Sequence, residues 1–215
     1  MVKMEANVRT ARRTFLRPAL EIRFQFVEGS EEIYIQSNPG IAATILNGIS
    51  PPLLFSHYRI VVADDYSKSV FVCSQLNRVD FVFDGDGFSF IPDDQPDMVE
   101  LAAVEFSKHV NLDDPARLQK RRQHRRLGEL VISFLHLRMR GGNHVYLMKE
   151  SLVKLPVDNQ SYMQRLLSKG TLVIRLAGGG VGFVNLANLI GYSVYPGVVD
   201  APADTWIAQP KQMHE

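Results

Sequence analysis

A dense run of basic side chains in the middle of the chain is the clearest candidate for chemistry. Residues 115–126 hold six lysines and arginines and no acidic residue. In a helix, side chains four positions apart fall in one row, and rows of positive charge suit the phosphates of a nucleic acid or a nucleotide. The alternative is a solvated linker helix, balanced by the acidic stretch 93–114. The candidate binding residues in this run are Arg117, Arg121, Arg122, Arg125 and Arg126.

A second group of arginines lies just before the first predicted strand. It consists of Arg12, Arg13 and Arg17, which we also take as candidate ligand-binding or nucleic-acid-binding residues. The pair Arg12-Arg13 precedes its strand much as the pair at 121–122 precedes the strand that begins at 130. An R-x-x-x-R spacing occurs in both places.

These paired arginines resemble the arginine motif of PilZ domains, a family of β-barrels that bind cyclic di-GMP. The resemblance implies that the arginines contact the phosphates of a cyclic dinucleotide. The second motif of that family is D/N-x-S-x-x-G. Its nearest counterpart here is residues 159–164, which lack the final glycine.

Two histidines near one predicted turn are candidate metal ligands. His136 and His144 flank the glycines at 141–142. If those two glycines alone form the turn, Met139 is paired with His144, and His136 with Leu147. Successive residues of a strand alternate between faces, so the two histidines would then lie on opposite faces. We therefore predict no metal site.

Two other features are predicted to be structural. Cys73 lies on a strand pattern with no histidine close in sequence, so it is expected to be a buried small hydrophobic residue. The glycine cluster 178–182 is followed by a strand pattern, whereas a phosphate loop leads into a helix. It is therefore predicted to be a hairpin turn. We assign no catalytic residue and no cofactor.

The elements that must position these residues occur twice in the sequence. Residues 20–24 are similar to 130–134, and residues 33–35 are similar to 145–147. Each copy shows the order strand, strand, short helix, strand, strand, strand. Five short strands with one helix favour a small barrel or a strongly twisted sheet, and they resemble SH3-like and Sm-like modules.

The predicted elements of the two copies follow from alternating apolar residues and turn residues. A helix at 41–46 is expected to start after Asn38-Pro39-Gly40, and a second copy of it lies at 160–167. Between the copies, helices are predicted at 97–110 and 115–127. Strands are predicted at 21–27, 32–36, 58–63, 69–73, 79–83, 130–140, 143–148, 171–176, 182–185 and 189–195.

The fold class is therefore mainly β with short helices, a tandem duplication of two small barrel-like modules joined by a helical linker. The predicted organisation is an arm at 1–16, a first β module at 17–90, a linker at 91–127, a second β module at 128–197 and a tail at 198–215. The copies are expected to pack against each other, because about 70 residues give each a thin core.

Composition places the chain in the globular class. Of its 215 residues, 46% are hydrophobic and 22% are charged, as in ordinary soluble proteins. The sequence contains no apolar run of about 18 residues, so no membrane span is predicted. The first residues are not followed by the apolar segment that a secretory signal would have. The single cysteine favours a reducing cytoplasm.

These features predict a non-enzymatic binding or regulatory protein. Its two β modules and basic linker would engage a protein or a nucleic acid. One alternative is a cyclic-dinucleotide-sensing module similar to PilZ, and another is an enzyme with a site formed between the copies. Exposed strand edges also leave a homodimer open.

Overall fold

The computed structural model describes residues 19–56, 60–83, 98–110, 130–152, 168–195 and 206. It is mainly β, with a large mixed sheet and few helices. The helices are α1 Pro39–Asn47, α2 Pro51–Leu54 and α3 Ala103–His109. The strands are β1 Leu20–Phe26, β2 Glu31–Gln36, β3 Ile60–Ala63, β4 Lys68–Phe71, β5 Leu76–Val82, β6 Met98–Glu100, β7 Leu130–Met139, β8 His144–Leu152, β9 Thr171–Arg175, β10 Val181–Asn185 and β11 Leu189–Tyr195.

Nine of these strands form one sheet in the order β11-β7-β8-β6-β9-β10-β5-β1-β2, and β3 and β4 form a separate hairpin. All neighbours are antiparallel except β6 and β9. The first half of the protein, residues 19–83, joins the second half, residues 130–195, where β5 pairs with β10. Strands of both predicted modules therefore share one sheet. Closure into barrels, the module boundaries and a duplication stay predictions.

Local sequence accounts for α1 as predicted. The side chain of Asn38 accepts hydrogen bonds from the backbone N–H groups of Gly40 and Ile41, which would otherwise have no partner in the first turn. Proline is tolerated at the first helical position because its missing N–H is not needed there. The helix ends at Gly48, and its buried residues Ala42 and Leu46 face the sheet.

The helix predicted at 97–110 is wrong in its first part. Met98–Glu100 is strand β6, which pairs with β8 and β9, and the helix α3 begins only at Ala103. The backbone N–H of Leu101 still donates to Tyr146 on β8. Tertiary pairing thus overrides a helical spacing of apolar residues. The helices predicted at 115–127 and 160–167 lie outside the described residues.

The prediction for the end of the first half is also corrected. A 3-10 turn spans Cys73–Gln75, and β5 already begins at Leu76 rather than at 79. In the second half, a 3-10 turn at Leu186–Asn188 precedes β11 in the same way. Cys73 therefore lies in a turn rather than on a strand, and its burial, at 2% exposed, is confirmed.

Apolar side chains form three clusters on the two faces of the sheet. The first lies between β1, β5, β10 and the layer of α1, α2 and the β3–β4 hairpin, and it includes Phe24 and Phe81. The second lies in the second half and includes Leu137 and Ile174. The third packs Phe106 of α3 against β7 and β8.

Polar side chains connect the two halves by bonding to backbone carbonyls. Asn185 and Asn188 both donate to the carbonyl of Leu76, at 3.0 and 2.9 Å. Asn77 donates to the carbonyl of Arg140 at 2.8 Å, and Asn143 donates to that of Phe26 at 3.2 Å. The turn between β7 and β8 is therefore held against the first half.

That turn is also in direct backbone contact with the first half. Gly141 has a φ of 70°, and a Cβ added to it would stand 1.5 Å from the carbonyl oxygen of Val27. Gly142 has a similar φ of 79°, but an added Cβ would meet nothing within 4 Å. The two glycines share a positive φ, but only Gly141 has this close contact.

We therefore expect Gly141→Ala to be far more destabilising than Gly142→Ala. The left-handed conformation costs each alanine about 1–2 kcal/mol, and only Gly141→Ala must also move the backbone of Val27. The free energy of unfolding in urea should fall by about 1–2 kcal/mol for Gly142→Ala and by at least about 3 kcal/mol for Gly141→Ala. Equal losses would show that the contact between the halves is not tight.

Candidate functional site

An apolar cavity lies in the first half of the described chain. It has a volume of about 800 Å³ and lies between the sheet, the two short helices α1 and α2, and the β3–β4 hairpin. Ile22, Phe24 and Phe81 contribute its floor from β1 and β5. The facing layer includes Ile45, Ile49, Leu54, Ile60 and Val62.

Aliphatic side chains continue from the cavity to the protein surface. Ile41 of α1, Leu53 of α2 and Val61 of β3 all line the cavity, and each is 49% exposed. Large apolar side chains that are half exposed around one opening leave apolar surface in water, which is unfavourable by about 25 cal/mol per Å². The cavity therefore has an apolar mouth as well as an apolar interior.

A few polar groups lie on the cavity wall. The hydroxyl of Tyr34 donates to Glu32 at 2.8 Å and lies 3.1 Å from the hydroxyl of Ser69 on β4. Asp64 accepts from the backbone N–H groups of Tyr66 and Ser67, which lowers the pKa of its carboxyl. These groups are bonded to one another, so they shape the wall and bring negative rather than positive charge to it.

A buried group of ionised side chains lies where the two halves meet. Arg78 of β5 donates to Asp80 at 2.6 Å and holds Glu100 of β6 through two bonds, one of them 2.7 Å long. Burial alone would lower the pKa of Arg78, but the bonds to Glu100 and Asp80 raise it. Burial raises the pKa of Asp80, and Arg78 offsets part of that rise.

Opposite this group, the neighbouring strand β10 has a glycine, which leaves space for the charged side chains. Gly182 of β10 pairs with Asp80, and a Cβ on Gly182 would stand 2.6 Å from the Asp80 carboxylate. The glycine therefore makes room for the ion pair. Because three charged groups satisfy one another there, the arrangement joins β5 to β6 and has the character of a structural contact.

The predicted placement of the two histidines on opposite faces is wrong. His136 pairs with Tyr146, and His144 pairs with Arg138, so both histidines lie on one face. Nε2 of His136 is 2.7 Å from Nδ1 of His144. The turn has three residues, 140–142, because Met139 bonds to Asn143. A shift of one residue in register moves every side chain to the other face.

Aromatic rings surround the histidine pair. The ring of His136 stacks on Tyr146 with centroids 4.7 Å apart, and Phe106 of α3 lies at 6.1 Å. Burial, then His144 and Arg138, lower the pKa of His136. Among the residues that the structure describes, no group of three or more histidine, cysteine or carboxylate side chains is arranged to hold a metal.

The other sequence-based candidates have separate outcomes. The glycines at 178–180 lie in the turn between β9 and β10, as predicted, and Gly179 and Gly180 have φ values of 96° and 98°, whereas Gly182 belongs to β10. Burial raises the pKa of the Cys73 thiol, which disfavours the reactive thiolate. Every arginine that we predicted to bind a ligand lies outside the described residues: Arg12, Arg13, Arg17, Arg117, Arg121, Arg122, Arg125 and Arg126.

No protein-family model matches the chain, and no curated protein or solved structure matches it either. In the described part of the chain, no helix is long and apolar enough to cross a membrane. The candidate site therefore rests on its own geometry. Its apolar cavity was missed by sequence reasoning, because its lining comes from five separated stretches of sequence whose residues look like ordinary core.

The lowered pKa of His136 predicts a pH dependence of stability. The unfolded chain takes up a proton at the ordinary histidine pKa, near 6.5, before the folded protein does. Stability is therefore full above about pH 6.5 and is lost as the pH falls toward the lowered pKa of the folded state. In His136→Gln, the melting temperature should fall less between pH 7.5 and pH 5 than in the unchanged protein. Parallel curves would contradict the assignment.

Proposed function

We propose that this protein is a non-enzymatic binding protein whose first half holds a small apolar ligand. The observation that carries the proposal is the apolar cavity of about 800 Å³ with its open, aliphatic mouth. Ligand pockets typically measure 300–1,000 Å³ and are lined mainly by hydrophobic side chains with a few placed polar groups. The cavity fits that description in its size and in its lining.

The lining favours an uncharged, largely aliphatic or aromatic ligand. The described lining contains the carboxylate of Asp64, and it contains no lysine or arginine. Nucleotide phosphates need cationic or N–H partners, so the cavity does not suit a cyclic dinucleotide. Each methylene that a ligand transfers from water to such a lining contributes about 0.8 kcal/mol.

Filling the cavity should weaken binding. Ile45 is half-buried and lines the cavity from α1, so Ile45→Trp would occupy part of the space. We expect the neutral dye N-phenyl-1-naphthylamine to bind the unchanged protein with one saturable site. We expect Ile45→Trp and Val62→Phe to bind it at least about tenfold more weakly, a loss of about 1.4 kcal/mol. Fluorescence titration measures this.

The matched control is Val72→Trp. Val72 is 53% exposed and does not line the cavity, so this variant adds an exposed ring without filling the space. It should bind the dye like the unchanged protein. Circular dichroism separates loss of binding from loss of fold, and Val62→Phe is the smaller change if Ile45→Trp fails to fold. Folded cavity-filled variants that bind normally would overturn the proposal.

A second proposal is that the basic linker contacts a protein or a nucleic acid. It is supported by the run of positive charge at 115–126. If phosphates are bound, affinity for a mixed-sequence oligonucleotide should fall steeply with salt, and it should fall further when Arg121, Arg122, Arg125 and Arg126 are changed to Glu. Fluorescence anisotropy measures both. Affinity that survives the charge reversal would contradict the proposal.

The cyclic-dinucleotide alternative rests on the paired arginines alone. It would be supported by a rise in melting temperature with saturating cyclic di-GMP. The enzyme alternative requires a site at the junction of the halves, and Lys149 of β8 is a titratable group whose pKa burial lowers to about 8. An amine of that pKa suits proton transfer. The mutual bonding of Arg78, Asp80 and Glu100 favours a structural role at the same junction.

We also propose that the two halves are copies of one barrel-like module. In support, β1 lies between β2 and β5, and β7 lies between β8 and β11. A 3-10 turn precedes both β5 and β11. These turns relate Leu76 of β5 to Leu189 of β11, because each begins the strand that follows its turn.

A further inference from the structure

Strand β2 lies at one end of the nine-stranded sheet. It pairs with β1 along its length, and no described strand lies on its other side. A strand in this position presents a row of N–H and C=O groups that can pair with another chain. Native edge strands are usually guarded by lysine, proline or a bulge, because unguarded edges associate.

The edge formed by β2 carries no such guard in its central residues. Ile33 and Ile35 are 51% and 64% exposed, and they flank Tyr34. The register between β2 and β1 runs without a shift from Glu31 to Gln36. The opposite edge of the sheet differs, because β11 has a register shift between Leu189 and Gly191. The central part of β2 is therefore the more open of the two edges.

The hydrogen bonds to β1 determine which groups of β2 point outward. Phe26 donates its N–H to the carbonyl of Ser30, so these two residues are a hydrogen-bonded pair. Hydrogen-bonded and non-hydrogen-bonded pairs alternate along an antiparallel ladder. Glu32 and Tyr34 therefore bond to β1, whereas the N–H and C=O groups of Ile33 and Ile35 point away from it.

This alternation restricts how a second β2 strand can pair. Two β2 strands related by a twofold axis can form hydrogen bonds only if residues whose N–H and C=O groups point away from β1 lie opposite one another. Every register that places such a residue opposite one that bonds to β1 is therefore excluded. Centring on Glu32 opposes two carboxylates, and centring on Ile33 opposes Glu31 to Ile35. Centring on Tyr34 instead opposes Ile33 to Ile35 twice and Glu32 to Gln36. The strand is thus self-complementary in that register.

We propose that two copies of this chain associate through β2, antiparallel and centred on Tyr34. Each Ile33–Ile35 pair exchanges two backbone hydrogen bonds across the axis, and their exposed side chains come within about 5 Å of one another. The arrangement opposes no like charges. Because one strand pair buries less than the roughly 1,200 Å² of a standard interface, the association is weak and concentration-dependent.

Cysteine cross-linking tests the register directly. In the proposed dimer, Glu32 and Gln36 of the second copy form a non-hydrogen-bonded pair with Cα atoms about 4.5 Å apart, a separation that suits a disulfide. A mixture of Glu32→Cys and Gln36→Cys proteins should form a mixed disulfide under mild oxidation at least about tenfold faster than either protein alone. Cys73 is 2% exposed and does not compete.

A matched mixture serves as the control. Glu31→Cys with Gln36→Cys places the two thiols on opposite faces of the paired strands, so it should cross-link no faster than the single variants. Equal rates in the two mixtures would overturn the proposal. Fast cross-linking of Glu32→Cys with itself would also overturn it, because that product requires a different register.

A non-covalent measurement tests the same edge without cysteine. Ile35→Pro removes one outward N–H and leaves the bonds to β1 intact. Sedimentation at about 0.5 mM, a concentration suited to micromolar or weaker affinity, should show dimer for the unchanged chain and at least about a tenfold weaker dimer for Ile35→Pro. A chain that stays monomeric, or a variant that dimerises equally, contradicts the proposal. If the chain does not self-associate but binds another protein, and Ile35→Pro abolishes that binding, the edge would be assigned to that protein.

Discussion

The pairing of β5 with β10 is the contact on which the rest of the structure depends. β5 is hydrogen-bonded on both sides, to β1 of the first half and to β10 of the second, and six of its seven residues are buried. It therefore serves as a central strand for two sets of elements. The apolar cluster under α1 includes Val181 and Phe183 from β10, so the first half completes its core with side chains from the second.

The junction between the halves is held by polar side chains, whereas the cavity is lined mainly by apolar ones. At the junction, polar side chains form specific hydrogen bonds: Arg78 bonds to two carboxylates, and asparagines bond to backbone carbonyls. Such groups are costly to disturb, because a buried polar atom without its partner loses about 1–3 kcal/mol. The cavity shares strand β5 with this junction through Val79 and Phe81, but its opposite wall is formed by the short helices α1 and α2 and by β3. A ligand there would contact β5 from the side of α1 and α2, whereas the polar bonds of Arg78, Asn185 and Asn188 lie outside the cavity lining.

Sequence reasoning succeeded where local chemistry decides the structure. Alternating residues predicted β1, and Asn38 with Pro39 predicted the start of α1. It failed where distant residues decide. Two adjacent glycines permit either a two-residue or a three-residue turn, and the contact of Gly141 with Val27 belongs to the three-residue one. The space of the cavity left no trace in the sequence, since aliphatic residues of a core and of a pocket are alike.

The separation of bonded residues along the chain has a consequence for synthesis and folding. Asn188 bonds to Ser74, which lies 114 residues earlier. During translation, β5 therefore leaves the ribosome with one edge unpaired until β9 and β10 have followed. Closing so long a segment costs chain entropy before any contact is gained, which slows folding and prolongs exposure of the unpaired edge. The first half thus reaches its final form only after the second has been made.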